Sequence, residues 1–171
     1  MRKYILLFIA LLLMEMGKSQ VRPGAECTSR YLPLLKGKSV AICGNQTSVV
    51  GKTPLVDTLL AQGVKVTKIF CPEHGFRGNA EAGASIKSST DSKTGLPIIS
   101  LYGKSKKPTA EQLKGVNIIL FDLQDVGCRF YTYISTLHYI MEAAAENNIE
   151  VIVLDRPNPA GRPVEGLRLR A

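Results

Sequence analysis

The sequence predicts an α/β domain, a Rossmann-like three-layer fold with a mostly parallel sheet. Short apolar runs rich in β-branched residues alternate along the chain with amphipathic helical patterns. Nearly every apolar run is followed by a polar motif, which is the pattern expected where strands end at a ligand-binding edge. A chain of 171 residues has room for one ordinary domain with its own core.

Five strands are predicted from these apolar runs. The third begins with Pro97, which favours an edge position because proline cannot donate to a ladder except at its start. The long polar stretch 72–96, between the second and third strands, is of a length that is usually functional or mobile. The predicted strands are residues 39–43, 64–70, 97–101, 116–121 and 150–154.

Three helices are predicted between the strands. Thr53 is expected to cap the first, with Pro54 at its first position. Thr109 and Gln112 form a possible capping box for the second, which Gly115 ends. The inward-facing positions are expected to be Leu55, Val56, Leu59 and Leu60 in the first helix, and Phe130, Ile134, Leu137, Met141 and Ala144 in the third.

Residues 1–19 have the layout of a secretory signal peptide. Arg2 and Lys3 precede the apolar run 4–14, which is shorter than the roughly 20 apolar residues that span a bilayer. An uncleaved anchor is the alternative. We therefore expect residues 20–171 to form the exported domain, in the periplasm or secreted, without stable membrane insertion after signal cleavage.

The formal net charge of +8 favours an anionic partner only mildly, because the lysines are scattered. No nucleic-acid-binding motif or basic stripe with aromatics occurs, so nucleic acid is not an expected partner. The cysteine and histidine spacing fits no zinc site, and we expect no metal. The cysteines are expected to be free thiols, and they are Cys27, Cys43, Cys71 and Cys128.

The polar motifs that follow four predicted strands should converge on one rim, because the carboxyl ends of parallel strands share one edge of the sheet. The first motif, which contains Asn45 and Gln46, ends in Gly-Lys-Thr but is not a phosphate loop. Such a loop needs glycine where Gln46 stands. Asn45 and Gln46 remain candidate hydrogen-bonding partners of a polar ligand.

The motif PEHGFRG at 72–78 carries the best candidate for proton transfer. Glu73 follows an apolar strand, where partial desolvation would raise its pKa into the range of a general acid. His74 could tune that carboxyl group or bind substrate. The alternative is an ion pair between Glu73 and Arg77 that shapes the loop.

Asp122 and Asp125 offer a second carboxylate, which a glycosidase requires across the scissile bond. The structural alternatives are that Asp122 caps a turn and that Asp125 pairs with Arg129.

In DRPNP, two prolines bracket Asn158 and could hold it and Asp155 rigidly at the rim. The alternative there is a stiff turn with a contact between Asp155 and Arg156.

Three strings, PEHGFRG at 72–78, FDLQDVGCRFYTYISTL at 121–137 and LDRPNPAG at 154–161, resemble the motifs of the bacterial DUF1343 family. The similarity runs from about Lys38 to Gly161. Characterised members of this family are exo-β-N-acetylmuramidases of the NamZ type. The resemblance implies an exported enzyme that releases N-acetylmuramic acid from the non-reducing ends of peptidoglycan fragments, without a cofactor.

The resemblance also assigns candidate roles. Glu73 falls on the position of the catalytic acid, and Asp125 or Asp122 would be the opposing carboxylate. Arg129 or Arg77 is the natural partner for the lactyl carboxylate of muramic acid. The remaining candidates for binding muramyl saccharides are Asn45, Gln46, His74, Tyr131, Asp155 and Asn158.

Family members are considerably longer than this chain and add a C-terminal domain across a cleft. We therefore expect the second domain to be missing here. Two further hypotheses stay open, a sugar-binding or inactive truncated protein without turnover and, less favoured, a nucleotide-binding module.

Overall fold

A computed structural model of the chain describes residues 21–72, 76–77, 89–103 and 105–161. The predicted signal peptide, Glu73 and His74 lie outside these residues. None of the helices in the described residues has the length and apolar character that crossing a membrane requires.

The described residues form a mostly parallel six-stranded sheet in the order β5-β6-β4-β1-β7-β8. All neighbouring strands pair in parallel except β5, which runs antiparallel to β6. The predicted α/β class with a mostly parallel sheet is confirmed. The strands of the sheet are β1 (Ser39–Gly44), β4 (Lys65–Cys71), β5 (Ser89–Thr90), β6 (Pro97–Ser100), β7 (Ile118–Asp122) and β8 (Glu150–Val153).

The position expected for the strand that begins with Pro97 was wrong. The edge on that side is β5, whose Thr90 pairs with Pro97. Proline is tolerated there because it stands at the first position of β6. The two residues of β5, Ser89 and Thr90, are polar and carry no apolar signal, so a strand outside β6 was not predicted.

Helices cover both faces of the sheet and make three layers. Along β1, Val40 and Ile42 pack into one apolar cluster, whereas Ala41 and Cys43 pack into another on the opposite face. This alternation is what the period of two along a strand requires. The first cluster includes side chains of α1 (Thr28–Leu35) and α2 (Leu55–Ala61), and the second includes side chains of α3 (Ala110–Leu113) and α4 (Tyr133–Glu146).

The two predicted helix starts have different outcomes. The capping box of α3 is confirmed, because the Thr109 hydroxyl accepts from the Gln112 amide and Gln112 accepts from the Thr109 amide. Thr53 does not cap α2. It belongs to β3 (Thr53–Pro54), which pairs with β2 (Val49–Val50) in a small hairpin, so Pro54 is the residue before α2.

The face of α4 that packs on the sheet also differs from the prediction. Phe130, Ile134 and Met141 are 86%, 67% and 52% exposed. The buried face consists of Tyr133, Ile140, Ala143 and Ala144, with Leu137 partly buried. The predicted and observed stripes share Leu137 and Ala144. The observed stripe adds Tyr133, Ile140 and Ala143, which are buried against the sheet, and the Tyr133 hydroxyl accepts a hydrogen bond from Asn45.

All four cysteines are free thiols, as expected. Burial raises the pKa of the Cys71 thiol to about 12 and raises that of Cys43 well above its ordinary value. Both therefore behave as small apolar side chains of the core.

Candidate functional site

The predicted polar motifs that follow β1, β7 and β8 lie at the carboxyl edge of the sheet. The chain places β4 on one side of β1 and β7 on the other, so strand order reverses there. Ligands of open parallel sheets bind outside the carboxyl ends of the strands at this switch point. The loops after β1, β7 and β8 are joined to one another by hydrogen bonds at this rim.

Asn45 begins the loop after β1 and is buried. Its amide oxygen accepts from the backbone N–H and the hydroxyl of Thr47, at 2.9 and 2.6 Å. Its amide nitrogen donates to the Tyr133 hydroxyl at 3.1 Å. Asn45 thereby ties the β1 loop to α4, and both ends of its amide group are already engaged within the protein.

Ser48 fastens the same loop to the end of β7. Its hydroxyl accepts from the Asn45 backbone N–H and donates to the Asp122 carbonyl oxygen. A Cβ added at Gly44 would lie 2.5 Å from the Ser48 oxygen, so glycine leaves the space that this contact needs. The sequence analysis did not single out Ser48, and nothing in its local pattern distinguishes it from a turn serine.

Asp122 is fully buried and paired with Arg156. The guanidinium donates from Nε to Oδ1 at 2.6 Å and from Nη2 to Oδ2 at 2.9 Å. It also donates to the Val49 carbonyl oxygen at 2.9 Å. Burial raises the pKa of Asp122, and the hydrogen bonds from Arg156 oppose that rise.

The environment of Asp122 favours a structural role over the predicted catalytic one. The carboxylate has no exposed surface on which a sugar could rest. The expected turn cap at Asp122 is not the contact observed. Arg156, expected to contact Asp155, instead forms its ion pair with Asp122.

Asp125 is the more accessible of the two predicted carboxylates. It is partly exposed, and its Oδ1 accepts from the Gly127 backbone N–H at 2.7 Å. It also lines a groove of about 150 Å³ together with Tyr133 and Val153. Asp125 therefore remains available as the second catalytic group.

The loops after β7 and β8 are in direct contact. The side-chain amide of Gln124 donates to the carbonyl oxygens of Asp125 and Pro157, at 2.8 and 2.9 Å. A Cβ at Gly127, which has a φ of +68°, would lie 2.2 Å from the Asn158 side-chain nitrogen. Gly127 is thus required for the close approach that brings Asn158 to the rim, and the sequence analysis did not identify it.

The other predicted ligands from these two loops are exposed. Asp155, Asn158, Arg129 and Tyr131 all reach the surface, and the Tyr131 ring meets that of Tyr133 edge to face at 5.9 Å. The structure therefore places Asp125, Arg129, Tyr131, Asp155 and Asn158 on loops of the same rim.

A cavity of about 340 Å³ opens beside the β1 loop, and we call it the Asn45–Phe76 cavity. Its lining includes the predicted ligands Gln46 and Arg77. Arg77 donates to both oxygens of Asp91 at 2.6 and 2.7 Å and to Asp57 at 3.3 Å. The full lining is Asn45, Gln46, Ser48, Pro54, Phe76 and Arg77.

A second cavity of about 270 Å³ lies at the carboxyl ends of β4 and β6. Pro72 lines this second cavity, and Phe76 lines the first. The second cavity is rich in hydroxyl groups, and its lining is Pro72, Leu101, Tyr102, Lys106, Thr132, Ser135, Thr136 and Tyr139.

Within the described residues, no cluster of three or more His, Cys, Asp or Glu side chains is placed to hold a metal ion.

These features define an α/β protein whose polar loops gather at the topological switch point of a parallel sheet. The chain belongs to the family described as exo-β-N-acetylmuramidase NamZ, N-terminal, whose model matches residues 40–171. It is 52% identical over 139 residues to the peptidoglycan β-N-acetylmuramidase NamZ of Bacillus subtilis (strain 168). The resemblance found in the three motifs is thereby confirmed.

Two crystal structures of DUF1343 family proteins from Bacteroides fragilis NCTC 9343 share the fold. One is 46% identical with a TM-score of 0.71, and the other is 45% identical with a TM-score of 0.73. The matches cover 82% and 81% of this chain but 36% and 35% of those proteins. Likewise, the match to the Bacillus protein covers 80% of this chain and 34% of that relative. The chain therefore spans about a third of the length of these relatives.

Proposed function

We propose that the protein is an exported glycoside hydrolase that releases N-acetylmuramic acid from the non-reducing ends of peptidoglycan fragments. The observation that carries the proposal is the 52% identity to a peptidoglycan β-N-acetylmuramidase over 80% of the chain. The matched family segment, residues 40–171, includes all three motifs on which the resemblance was based.

Glu73 is the proposed general acid. It immediately follows Pro72, at the carboxyl end of β4, and β4 is the direct neighbour of the switch-point strand. A carboxylic acid beside the scissile bond protonates the leaving oxygen, and apolar surroundings keep it protonated near neutral pH. His74, next in the chain, is proposed to bind substrate.

Asp125 is the proposed second carboxylate, acting on the sugar or through an activated water. Asp122 is the weaker choice because both of its oxygens are engaged by Arg156. Arg129 is the proposed partner for the lactyl carboxylate because it is exposed on the same rim loop as Asp125.

The test measures hydrolysis of a chromogenic β-N-acetylmuramide by this chain and by the longest form that the gene encodes. Glu73→Gln should lower kcat by about 10² to 10⁴-fold, the usual range for loss of a general acid. The exposed Glu26 offers a matched control, because Glu26→Gln should leave kcat unchanged. Near-normal turnover by a folded Glu73→Gln variant would show that the assignment is wrong.

Binding without turnover is the second candidate function. The observation that favours it is the cavity of about 340 Å³ beside the β1 loop, which is already open within the described residues. Calorimetry with muropeptides distinguishes the two functions, because binding in the absence of product release would support this candidate.

Export is part of the proposal and rests on residues 1–19. We expect the signal peptide to be cleaved and the remainder to be periplasmic or secreted. Cell fractionation with determination of the mature N-terminus tests this, and an intact N-terminus on a cytoplasmic product would contradict it.

A further inference from the structure

Arg77 is the centre of a charged cluster that lies beside the rim. The cluster consists of Arg77, Lys93, Asp57 from α2, and Asp91 from the turn between β5 and β6. Asp91 is only 3% exposed and also accepts from the backbone N–H and hydroxyl of Thr94. The cluster balances two cations with two carboxylates, so it carries no net charge of its own.

The geometry at Arg77 is that of a clamp. Nε and Nη2 donate to separate oxygens of Asp91, and Nη2 also donates to Asp57. Such two-point binding fixes the orientation of a guanidinium more firmly than a single contact does. Its anchors come from two different elements, α2 and the turn between β5 and β6.

Phe76 is what the clamp holds in place. The Arg77 guanidinium carbon lies 5.3 Å from the centre of the Phe76 ring. Phe76 is buried and forms one wall of the Asn45–Phe76 cavity. Arg77 therefore contacts the ring that lines the cavity together with Asn45 and Gln46.

We propose that Arg77 is a positioning residue, not a ligand of the substrate carboxylate. With Asp91 and Asp57 as anchors, it fixes the Phe76 wall of the cavity and so sets the shape that the sugar must fit. The kinetic consequence rests on the proposed function, whereas the positioning of Phe76 does not. The inference replaces the expectation that Arg77 pairs with the lactyl group.

The first test reports on position without any need for activity. The chain contains no tryptophan, so Phe76→Trp introduces a single tryptophan at the wall, which can be excited selectively at about 295 nm, beyond tyrosine absorption. Its emission should be blue-shifted and protected from acrylamide. Adding Asp91→Asn should shift the emission to the red and raise the quenching constant about twofold, as expected when local packing loosens.

Glu150→Gln provides the control for the fluorescence test. It breaks the exposed ion pair with Lys38, which lies elsewhere in the sheet, and should leave the emission unchanged. Circular dichroism confirms that each variant is folded. If Asp91→Asn is not folded, Arg77→Lys is measured in its place. Unchanged emission when a folded Asp91→Asn or Arg77→Lys is added to Phe76→Trp would overturn the proposal, whether or not the protein hydrolyses muramides.

The second test separates positioning from binding of the substrate carboxylate. The KM values for a muramide and for its lactyl methyl ester are compared in wild type and Arg77→Lys. A positioning role lowers kcat for both substrates and leaves the ratio of the two KM values unchanged. A change in that ratio of about tenfold, the size of a lost charge-assisted contact, would overturn the proposal.

Discussion

At the level of single residues, the two predicted aspartates have opposite environments. Asp122 is fully buried against Arg156, whereas Asp125 is partly exposed at the rim. Removing one partner of a buried pair leaves the other charge without compensation, which is more costly than losing an exposed charge. Stability and activity should therefore respond in opposite ways to substitution at these two positions.

We expect Asp122→Asn to lower the free energy of unfolding by about 3 to 5 kcal/mol, because Arg156 would remain buried without its counter-charge. Asp125→Asn should change stability by no more than about 0.5 kcal/mol while reducing turnover. Urea unfolding together with muramide hydrolysis measures both effects. A stable Asp122→Asn variant that has lost activity would instead indicate that Asp122 is the second catalytic carboxylate.

The acid stability of the protein should depend on Asp91. Hydrogen bonds from Arg77 lower the pKa of Asp91 from 3.8 to about 2. The folded state binds a proton on Asp91 less readily than the unfolded state does. The ionised Asp91 therefore contributes its full stabilisation above pH 3.8, and this contribution is lost as the pH falls towards 2. The carboxylate is therefore stabilising at neutral pH and not in strong acid.

The comparison of wild type with Asp91→Asn tests this pH dependence. Near neutral pH, the wild type should be more stable in urea, and the difference should shrink between pH 3.8 and about 2. Glu150→Gln, in an exposed pair, should show little difference across that range. A wild-type advantage that stays constant down to pH 2 would contradict the assigned cause.

At the level of elements, the strands were the most predictable part of the molecule. All five apolar runs match β1, β4, β6, β7 and β8 within two residues, because buried parallel strands have a continuous apolar signal. Local capping chemistry likewise identified the start of α3. The motif order also placed the polar loops at one edge, which follows from the parallel arrangement.

The features that sequence reasoning missed depend on contacts between distant residues. Asp122 and Arg156 are 34 positions apart, and no local pattern links them. The stripe of α4 that packs on the sheet includes Tyr133, which accepts a hydrogen bond from Asn45, 88 positions away, and no local pattern distinguishes it from the other apolar stripe. Asp91 does carry a local signal, since an aspartate that binds Thr94 three residues later is typical of a turn.

The two stripes of α4 should differ sharply in their effect on stability. Ile140 is fully buried, whereas the neighbouring Met141 is 52% exposed. We expect Ile140→Ala to cost about 2 to 5 kcal/mol and Met141→Ala no more than about 0.5 kcal/mol. Chemical unfolding of the two variants measures this. A larger loss for Met141→Ala than for Ile140→Ala would mean that α4 packs with the stripe predicted from the sequence.

At the level of the whole molecule, the described residues form two apolar clusters, and the sheet lies between them. Leu59 on α2 belongs to one cluster, and Ile140 on α4 belongs to the other. Adjacent residues of β1, Ala41 and Ile42, contribute to opposite clusters. Loss of either cluster exposes one face of this strand, so neither layer of helices should unfold while the other remains folded.

The resulting prediction is a single cooperative transition. Leu59→Ala and Ile140→Ala should each lower the urea midpoint, and the double variant should show the sum of their losses within about 0.5 kcal/mol, as distant sites do. Circular dichroism and tyrosine fluorescence should give coincident curves for all three variants. Separate transitions, each affected by one substitution, would show that the two layers unfold independently and that β1 does not couple them.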